Sequence, residues 1–395
     1  MIIRKDYLER LNSLKDKELI KVVSGIRRCG KSTLLIMFQK YLLEQGVPKE
    51  NIISVNLESA DSYDIENYRD LFKHVKERLA PTGKNYVFLD EVQQVSSFQK
   101  ACDSLYIMDN VDLYITGSNS SLLSGELATL LSGRYVEIKM QPLSFKEYIS
   151  AVGSSDLNKK YTSYLVNSSF PYALKLDNKQ DIHAYLEGIF SSVILKDIVV
   201  RKKISDVATL EKIIRFLFDN IGNLTTVSKI TNTLKSNGMT ISVHTISNYI
   251  NALCECFVLY RATRYDIKGK QQLLGGEKYY VCDIGLRYFL LGSKPADLGH
   301  VLENIVYLEL LRRGYEVYVG KQGDGEVDFI AVKDGVTEYY QIALTLRDEN
   351  VLKRELKPLN SIGDHNQKFL LSLDEDPETS YNGIRQINAL DWLLR

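Results

Sequence analysis

The chain has 395 residues, enough for two or three domains, and its 50 Lys or Arg balance 50 Asp or Glu, so the formal net charge is zero. A histone-like protein, held on nucleic acid by counterion release alone, is thereby excluded, although a local basic face is not. Hydrophobic residues make up 45% and charged residues 25%, an ordinary globular composition that leaves no room for long disorder.

No stretch reads as a transmembrane helix, and the opening MIIRKDYLERLNSLKDKEL is too charged for a signal peptide, so no membrane partner is expected. Cys29, Cys102, Cys254, Cys256 and Cys282 are scattered without a CxxC pair, the usage of a reduced, cytoplasmic protein.

In chain order, the first segment (1–150) alternates short apolar strands with amphipathic stretches. Strands are expected at 19–24, 52–56, 86–90, 113–116 and 135–140, with helices at 31–45 and 68–79 between them. Apolar strands alternating with helices predict an α/β domain with a parallel sheet covered on both faces. A helical lid or linker follows at 151–205, punctuated by Pro171. Three helices and a hairpin at 206–282 have the order of a winged helix. Mixed α and β returns at 283–395, with strands at 327–332, 337–344 and 368–373 and a short C-terminal helix.

Residues 25–32 read Gly25-Ile26-Arg27-Arg28-Cys29-Gly30-Lys31-Ser32, followed by Thr33. This is the phosphate-loop pattern, set between an apolar strand and a helix-compatible run, which is the context it needs. The two glycines let the loop turn its backbone N–H groups inward, where they and the helix N-terminus bind phosphate oxygens. Lys31 adds charge at the β- and γ-phosphates of ATP, and Ser32 offers a hydroxyl to Mg²⁺. The strand YVFLDEVQ ends in Asp90-Glu91. Asp90 is placed to hold Mg²⁺, and Glu91, one residue on, to polarise the attacking water, a pairing suited to hydrolysis. A further strand ends in Thr116-Gly117-Ser118-Asn119, where Asn119 or Ser118 would orient that water; a merely polar strand end fits as well. Arg134, just before the next strand, suits a finger reaching a neighbouring subunit's γ-phosphate, or else a surface ion pair.

The strings GIRRCGKSTLL, YVFLDEVQ, ITGSNSSLL, LSGRY, QPLSFKEY, YLEGIFSSVILKDI and VCDIGLR occur in that order. Together they resemble an archaeal and bacterial group of AAA-superfamily ATPases, in which the core is fused to a C-terminal domain of unknown function. The resemblance spans nearly the whole chain. It implies an ATPase with Lys31, Ser32, Asp90 and Glu91 in the roles above, Asn119 as sensor, Arg134 as finger, and a homo-oligomer, with a hexamer as one form. At 167–174 the chain reads NSSFPYAL, where related sequences usually carry Gly-Gly before Phe-Pro.

Within 206–282, the stretch ISVHTISNYINALCECF has Val243, Ile246, Ile250, Leu253 and Phe257 as its apolar residues, which leave His244, Thr245, Asn248 and Asn251 on the outer face. In a winged helix this third helix reads the major groove. The hairpin after it carries Arg261, Arg264, Lys268 and Lys270 as candidate phosphate contacts. Residues 186–270 hold 12 Lys or Arg against 7 Asp or Glu, the local excess that binding DNA requires. Winged helices also serve as protein-interaction modules.

Finally, Glu303 on a helical stretch, Asp328 at a strand and Gln341 on the next strand follow the order of the PD-(D/E)xK nuclease fold. There two carboxylates hold Mg²⁺ and a lysine assists. Here the last element reads Gln341-Ile342-Ala343, without the lysine, and neither Lys333 nor Lys353 has a spacing that supplies it. A nuclease-like fold with a degenerate site and no cleavage is expected. The sequence as a whole predicts an ATP- and Mg²⁺-dependent motor or switch on duplex, forked or branched DNA. The alternatives are a nucleotide-controlled protein-interaction switch and, last, an ATP-dependent nuclease.

Overall fold

The computed structural model describes residues 2–118, 133–202, 204, 206–292, 297–323 and 325–395. They fall into two compact units, Met1–Pro142 with Glu255–Phe257, and Leu143–Cys254 with Val258–Arg395.

The first unit is built on five parallel strands: β1 (Ile20–Ser24), β2 (Ile52–Asn56), β3 (Asn85–Asp90), β4 (Val111–Gly117) and β5 (Tyr135–Lys139). Their spatial order is β2-β3-β4-β1-β5. Strand alternation explains why both faces are covered. Val87 and Leu89 of β3 and Leu113 and Ile115 of β4 form one face, buried against Leu71 and Val75 of helix Tyr68–Lys76 and Ala101 and Leu105 of helix Phe98–Tyr106. On the other face Phe88 stacks on Tyr114 at 4.8 Å, and Phe38 of helix Lys31–Glu44 closes on both. Truncating one such buried aromatic to Ala costs about 3–5 kcal/mol. Helix Tyr68–Lys76 starts at a reciprocal cap, in which Asn67 and Asp70 each satisfy the other's backbone N–H. The strands lie where the apolar runs predict, with β4 longer at both ends than 113–116.

The second unit opens with helices Phe145–Val152, Leu157–Asn167 and Lys179–Gly188, then a π-helix at Ile189–Lys196 that runs into helix Asp197–Lys202. Helices Val207–Asp219, Val227–Ser236 and Val243–Glu255 follow. The strands are β6 (Leu259–Asp266), β7 (Gln271–Val281), β8 (Glu316–Gln322), β9 (Gly325–Lys333), β10 (Val336–Ile342), β11 (Gln367–Ser372), β12 (Thr379–Tyr381) and β13 (Ile384–Asn388). They make one sheet in the order β12-β13-β11-β10-β9-β8-β6-β7. The hairpin β6–β7, read from sequence as a wing, pairs in parallel with β8. Glu277 of β7 is also bridged to Thr225, between the first two of the three helices. The expected boundary at 282/283 therefore runs through a single sheet. Turn residues mark where a hairpin ends but not which strand it pairs with. Helix Glu349–Asn360 covers a core of Val327, Ile330, Tyr339, Leu359 and Leu370. Among the described residues, no helix is long and apolar enough to cross a membrane.

Candidate functional site

The phosphate loop leaves β1 at Gly25, whose backbone has φ +151°; a Cβ there would lie 2.0 Å from the Met140 carbonyl oxygen, so no other residue fits. Gly30, at φ 106°, turns the chain into helix Lys31–Glu44. Ile26 and Cys29 are buried, Arg27 pairs with Glu58, and Arg28 and Thr33 are exposed. Burial pushes the Cys29 thiol up, which makes it an inert packing group. Beneath the loop, buried Arg4 donates to the carbonyls of Cys29 at 3.1 Å and Gln141 at 2.9 Å, a support that no motif announces.

Lys31 is buried, and its ammonium donates to the Gly25 carbonyl at 3.1 Å and to the Ser118 hydroxyl at 2.9 Å, with the Glu91 carboxylate 3.5 Å away. The Ser118 hydroxyl donates in turn to Glu91 at 2.8 Å. Burial pushes Glu91 up, but the Lys31 charge and hydrogen bonds from Gln93 and Ser118 outweigh it and hold the carboxyl below its usual range. Its neighbour Asp90 behaves oppositely: burial raises it despite hydrogen bonds from Thr116 and Ser32. The Thr116 hydroxyl donates to Asp90 at 2.5 Å and accepts the Glu91 N–H at 2.9 Å, fixing both acids from the adjacent strand. Glu91 sits at φ 56° in the left-handed region, a strain of about 1 kcal/mol or more held at the site. The Ser32 hydroxyl and Asp90 carboxyl lie together as hard oxygen donors, which fits Mg²⁺ carried in with nucleotide phosphates.

Asn119 lies outside the described residues, and Ser118 is the residue that meets Lys31 and Glu91. Arg134 precedes β5, where its carbonyl accepts the Ile20 N–H at 2.8 Å. Because β1 and β5 are parallel with Ile20 opposite Tyr135, Arg134 and the phosphate loop lie at opposite ends of adjacent strands. Arg134 cannot reach the loop of its own chain; it pairs with Asp103 and covers the Tyr106 ring at 5.6 Å.

In the second unit, His244, Asn248 and Asn251 are exposed on one side of helix Val243–Glu255, and Thr245 is half-buried. Arg261 joins this surface, donating to Asn251 at 2.7 Å and pairing with Glu277 at 3.3 Å. Lys268 and Lys270 are exposed at the hairpin turn. Arg264 is half-buried against Gly276, so the hairpin offers less charge than its sequence suggests.

Glu303, Asp328 and Gln341 do come together, around a cavity of about 360 Å³ that Glu326, His300 and Glu355 also line. The expectation that this group lacks a lysine is corrected. Lys278 of β7, only 3% exposed, places its ammonium 2.8 Å from Glu303, 2.7 Å from Glu326 and 3.8 Å from Asp328. Tyr280, two residues on, donates to Glu303 at 2.6 Å. Strand alternation is the reason: Lys278 and Tyr280 meet Glu303, whereas Glu277 and Tyr279 meet Arg261. A lysine set directly before an apolar, aromatic run in GEKYYV is the signal the sequence carries. Burial opposes the Lys278 charge, but Glu303, Asp328 and Glu326 prevail and keep it protonated.

The chain matches the model of an AAA domain at residues 17–149 and that of a domain of unknown function at residues 158–297. An "uncharacterized protein" of Haemophilus influenzae is 42% identical over 402 residues, covering 100% of this chain and 99% of that one. A second, from Methanocaldococcus jannaschii, is 29% identical, covering 86% of this chain and 77% of its own length. Among solved structures, a Walker-type ATPase of Pyrococcus abyssi superposes with a TM-score of 0.51 at 15% identity, over 73% of this chain and 96% of the other, a likeness of fold.

Proposed function

From the premise that this chain is an AAA-superfamily ATPase, belonging to one family with the Haemophilus influenzae protein, we propose that it hydrolyses ATP with Mg²⁺ and couples hydrolysis to remodelling of, or movement on, forked or branched DNA. The observation that carries the hydrolytic part is the chain Lys31–Ser118–Glu91 beside Asp90 and Ser32. Glu91 takes a proton from the water that adds to the γ-phosphorus, and the bond to the ADP oxygen breaks. Lys31 and the loop N–H groups hold the phosphate oxygens. Ser32 and Asp90 would hold Mg²⁺, which would neutralise phosphate charge. Arg134 acts in trans, which makes a homo-oligomer, a hexamer among its forms, the working state.

The DNA part rests on the exposed His244, Asn248, Asn251 and Arg261, a polar helix face with a cationic neighbour of the kind a winged helix lays in the major groove. Steady-state ATP hydrolysis measured without DNA and with linear duplex, single strand, fork and four-way junction, at low fixed salt, tests both parts. Stimulation by one DNA form, lost in Lys31→Ala, is the expected result. Hydrolysis indifferent to every form, with no DNA bound, would instead favour a nucleotide-controlled protein switch.

A further inference from the structure

Arg27 stands in the phosphate loop between Gly25 and Gly30, yet its guanidinium is held by a residue outside the loop. It is ion-paired with Glu58, two residues past β2, and the two side chains are 33% and 34% exposed. The same Glu58 oxygen accepts from Gln94 at 3.3 Å. Gln94 lies three residues beyond Glu91, and its neighbour Gln93 donates to the Glu91 carboxylate. Against the burial that raises Glu91, the Arg27 charge joins Lys31, Gln93 and Ser118 in holding it low. Arg27 is therefore within electrostatic reach of the place where the proposed hydrolysis puts the γ-phosphate. Segment 57–66 is tied at both ends to the stretch that carries the two acids. The Leu57 N–H donates to the Asp90 carbonyl at 3.1 Å, and the Ser96 N–H to the Glu66 carbonyl at 3.0 Å. Between these ties Tyr63 is 71% exposed. A cavity of about 590 Å³ borders the segment, lined by Arg27, Glu58, Tyr63, Ile65, Glu66 and Gln94 among others. It leaves the guanidinium room to change partners.

We propose that Arg27 makes the site specific for the nucleoside triphosphate and reports its presence: with ADP the guanidinium stays on Glu58, and with ATP it moves to the γ-phosphate, releasing segment 57–66 and the Tyr63 ring that it carries. The inference rests on the ATPase reading of the loop. An ion pair one-third exposed is weak, because water screens it. A γ-phosphate offers three oxygens and more charge than one carboxylate, and a guanidinium takes two such oxygens at once. The exchange therefore runs toward the phosphate. ADP offers Arg27 no such group, since Lys31 and the loop N–H groups already hold its phosphate oxygens. Once Arg27 leaves, Glu58 is left with the neutral Gln94 amide, and the tie from the phosphate loop to the segment is broken. The presence of the third phosphate is thereby written into the position of an exposed aromatic ring.

The test uses the full chain carrying Tyr63→Trp, whose only other tryptophan is Trp392. ADP and the non-hydrolysable β,γ-imido analogue of ATP are titrated, with affinity read by calorimetry and the segment by tryptophan emission. The analogue shifts the emission and ADP does not. Arg27→Ala abolishes the shift and weakens the analogue about tenfold, while ADP changes by less than about twofold. Arg27→Lys keeps part of the discrimination. Glu58→Gln does the reverse: it tightens the analogue about threefold, because the competitor for Arg27 is gone, and its emission without nucleotide matches that of the analogue-bound parent. Thermal unfolding checks that each variant folds, and Arg27→Lys with Glu58→Gln carries the test should Arg27→Ala not fold. Equal weakening of both nucleotides by Arg27→Ala, or emission that answers the analogue and ADP alike, would overturn the sensor and leave the ATPase reading standing. Binding of neither nucleotide by the parent would overturn that reading and the sensor with it.

Discussion

The Ser118 hydroxyl lies 2.8 Å from each oxygen of the Glu91 carboxylate, across the pairing of β4 with β3. The same hydroxyl accepts from Lys31, so one side chain fixes the positions of the cation and the anion to which the proposed hydrolysis assigns the same phosphate. Ser118→Ala should lower kcat for ATP about tenfold while leaving KM nearly unchanged, since it orients Glu91 without binding substrate. Glu91→Gln should lower kcat by about 100-fold or more and still bind nucleotide. Phosphate-release kinetics with a fluorescent nucleotide titration separate the two effects. Equal losses in kcat and affinity for Ser118→Ala would deny it the orienting role.

Arg134 tests the oligomer. Its exposed pair with Asp103 is worth under about 1 kcal/mol, so Arg134→Ala should leave the melting temperature almost unmoved. Its effect on kcat should instead be about 1,000-fold. Mixing Arg134→Ala with Lys31→Ala chains should restore part of the activity, because each supplies what the other lacks. Mixtures as inactive as their components would contradict action in trans.

Ser168 follows helix Leu157–Asn167 at φ 76° and ψ 151°, a conformation suited to glycine. Ser168→Gly should stabilise the chain by about 1 kcal/mol, after loss of the hydroxyl's bond to the Phe170 N–H. Gly285→Ala should do the reverse by more than about 3 kcal/mol, because its Cβ would lie 2.4 Å from the Ser168 backbone. Chemical denaturation measures both. A destabilised Ser168→Gly would mean that the hydroxyl outweighs the strain.

Asp374 supplies a pH signature. Burial pushes it up, but the Thr345 hydroxyl, the Leu346 N–H and the Ser372 hydroxyl outweigh burial and hold its carboxyl below the ordinary value of 3.8. The folded carboxyl is then the stronger acid. Its contribution to stability is complete above about pH 4 and is lost as pH falls through the depressed value. The stability gap between the parent and Asp374→Asn should narrow below about pH 4 and stay constant from about 5 to 8. A gap that widened in acid would reverse the assignment.

The exposed helix face and the hairpin turn should differ in kind. Asn248→Ala should weaken binding to preferred DNA sites by about 1–3 kcal/mol without altering the salt dependence. Lys268→Ala and Lys270→Ala should each lower the slope of log affinity against log salt by about 0.9 for every phosphate left unneutralised. Anisotropy titrations at several salt concentrations resolve the two. An unchanged slope in both lysine variants would remove the turn from the interface.

The candidate nucleotide site is legible because its parts are contiguous. Residues 25–33 and the pair Asp90-Glu91 need only their own strand and turn to be placed. The strands of the first unit were legible for a related reason, since burial on both faces writes itself as unbroken apolar runs. Ser118, Thr116 and Arg4 act across strands or beneath the loop, and no local spacing encodes such contacts. Lys278 is the clearest case. No spacing in the sequence places it, and only the assembly of eight strands into one sheet brings β7 beside Glu303 and Asp328.

Strand β7 faces two ways. Glu277 and Tyr279 meet Arg261 on one side; Lys278 and Tyr280 reach Glu303 on the other. A slip of one residue in its register against β6 would exchange the two sets, turning the lysine outward and a glutamate inward among carboxylates, so the pairing of Tyr260 with Tyr280 fixes the electrostatics of both surfaces at once.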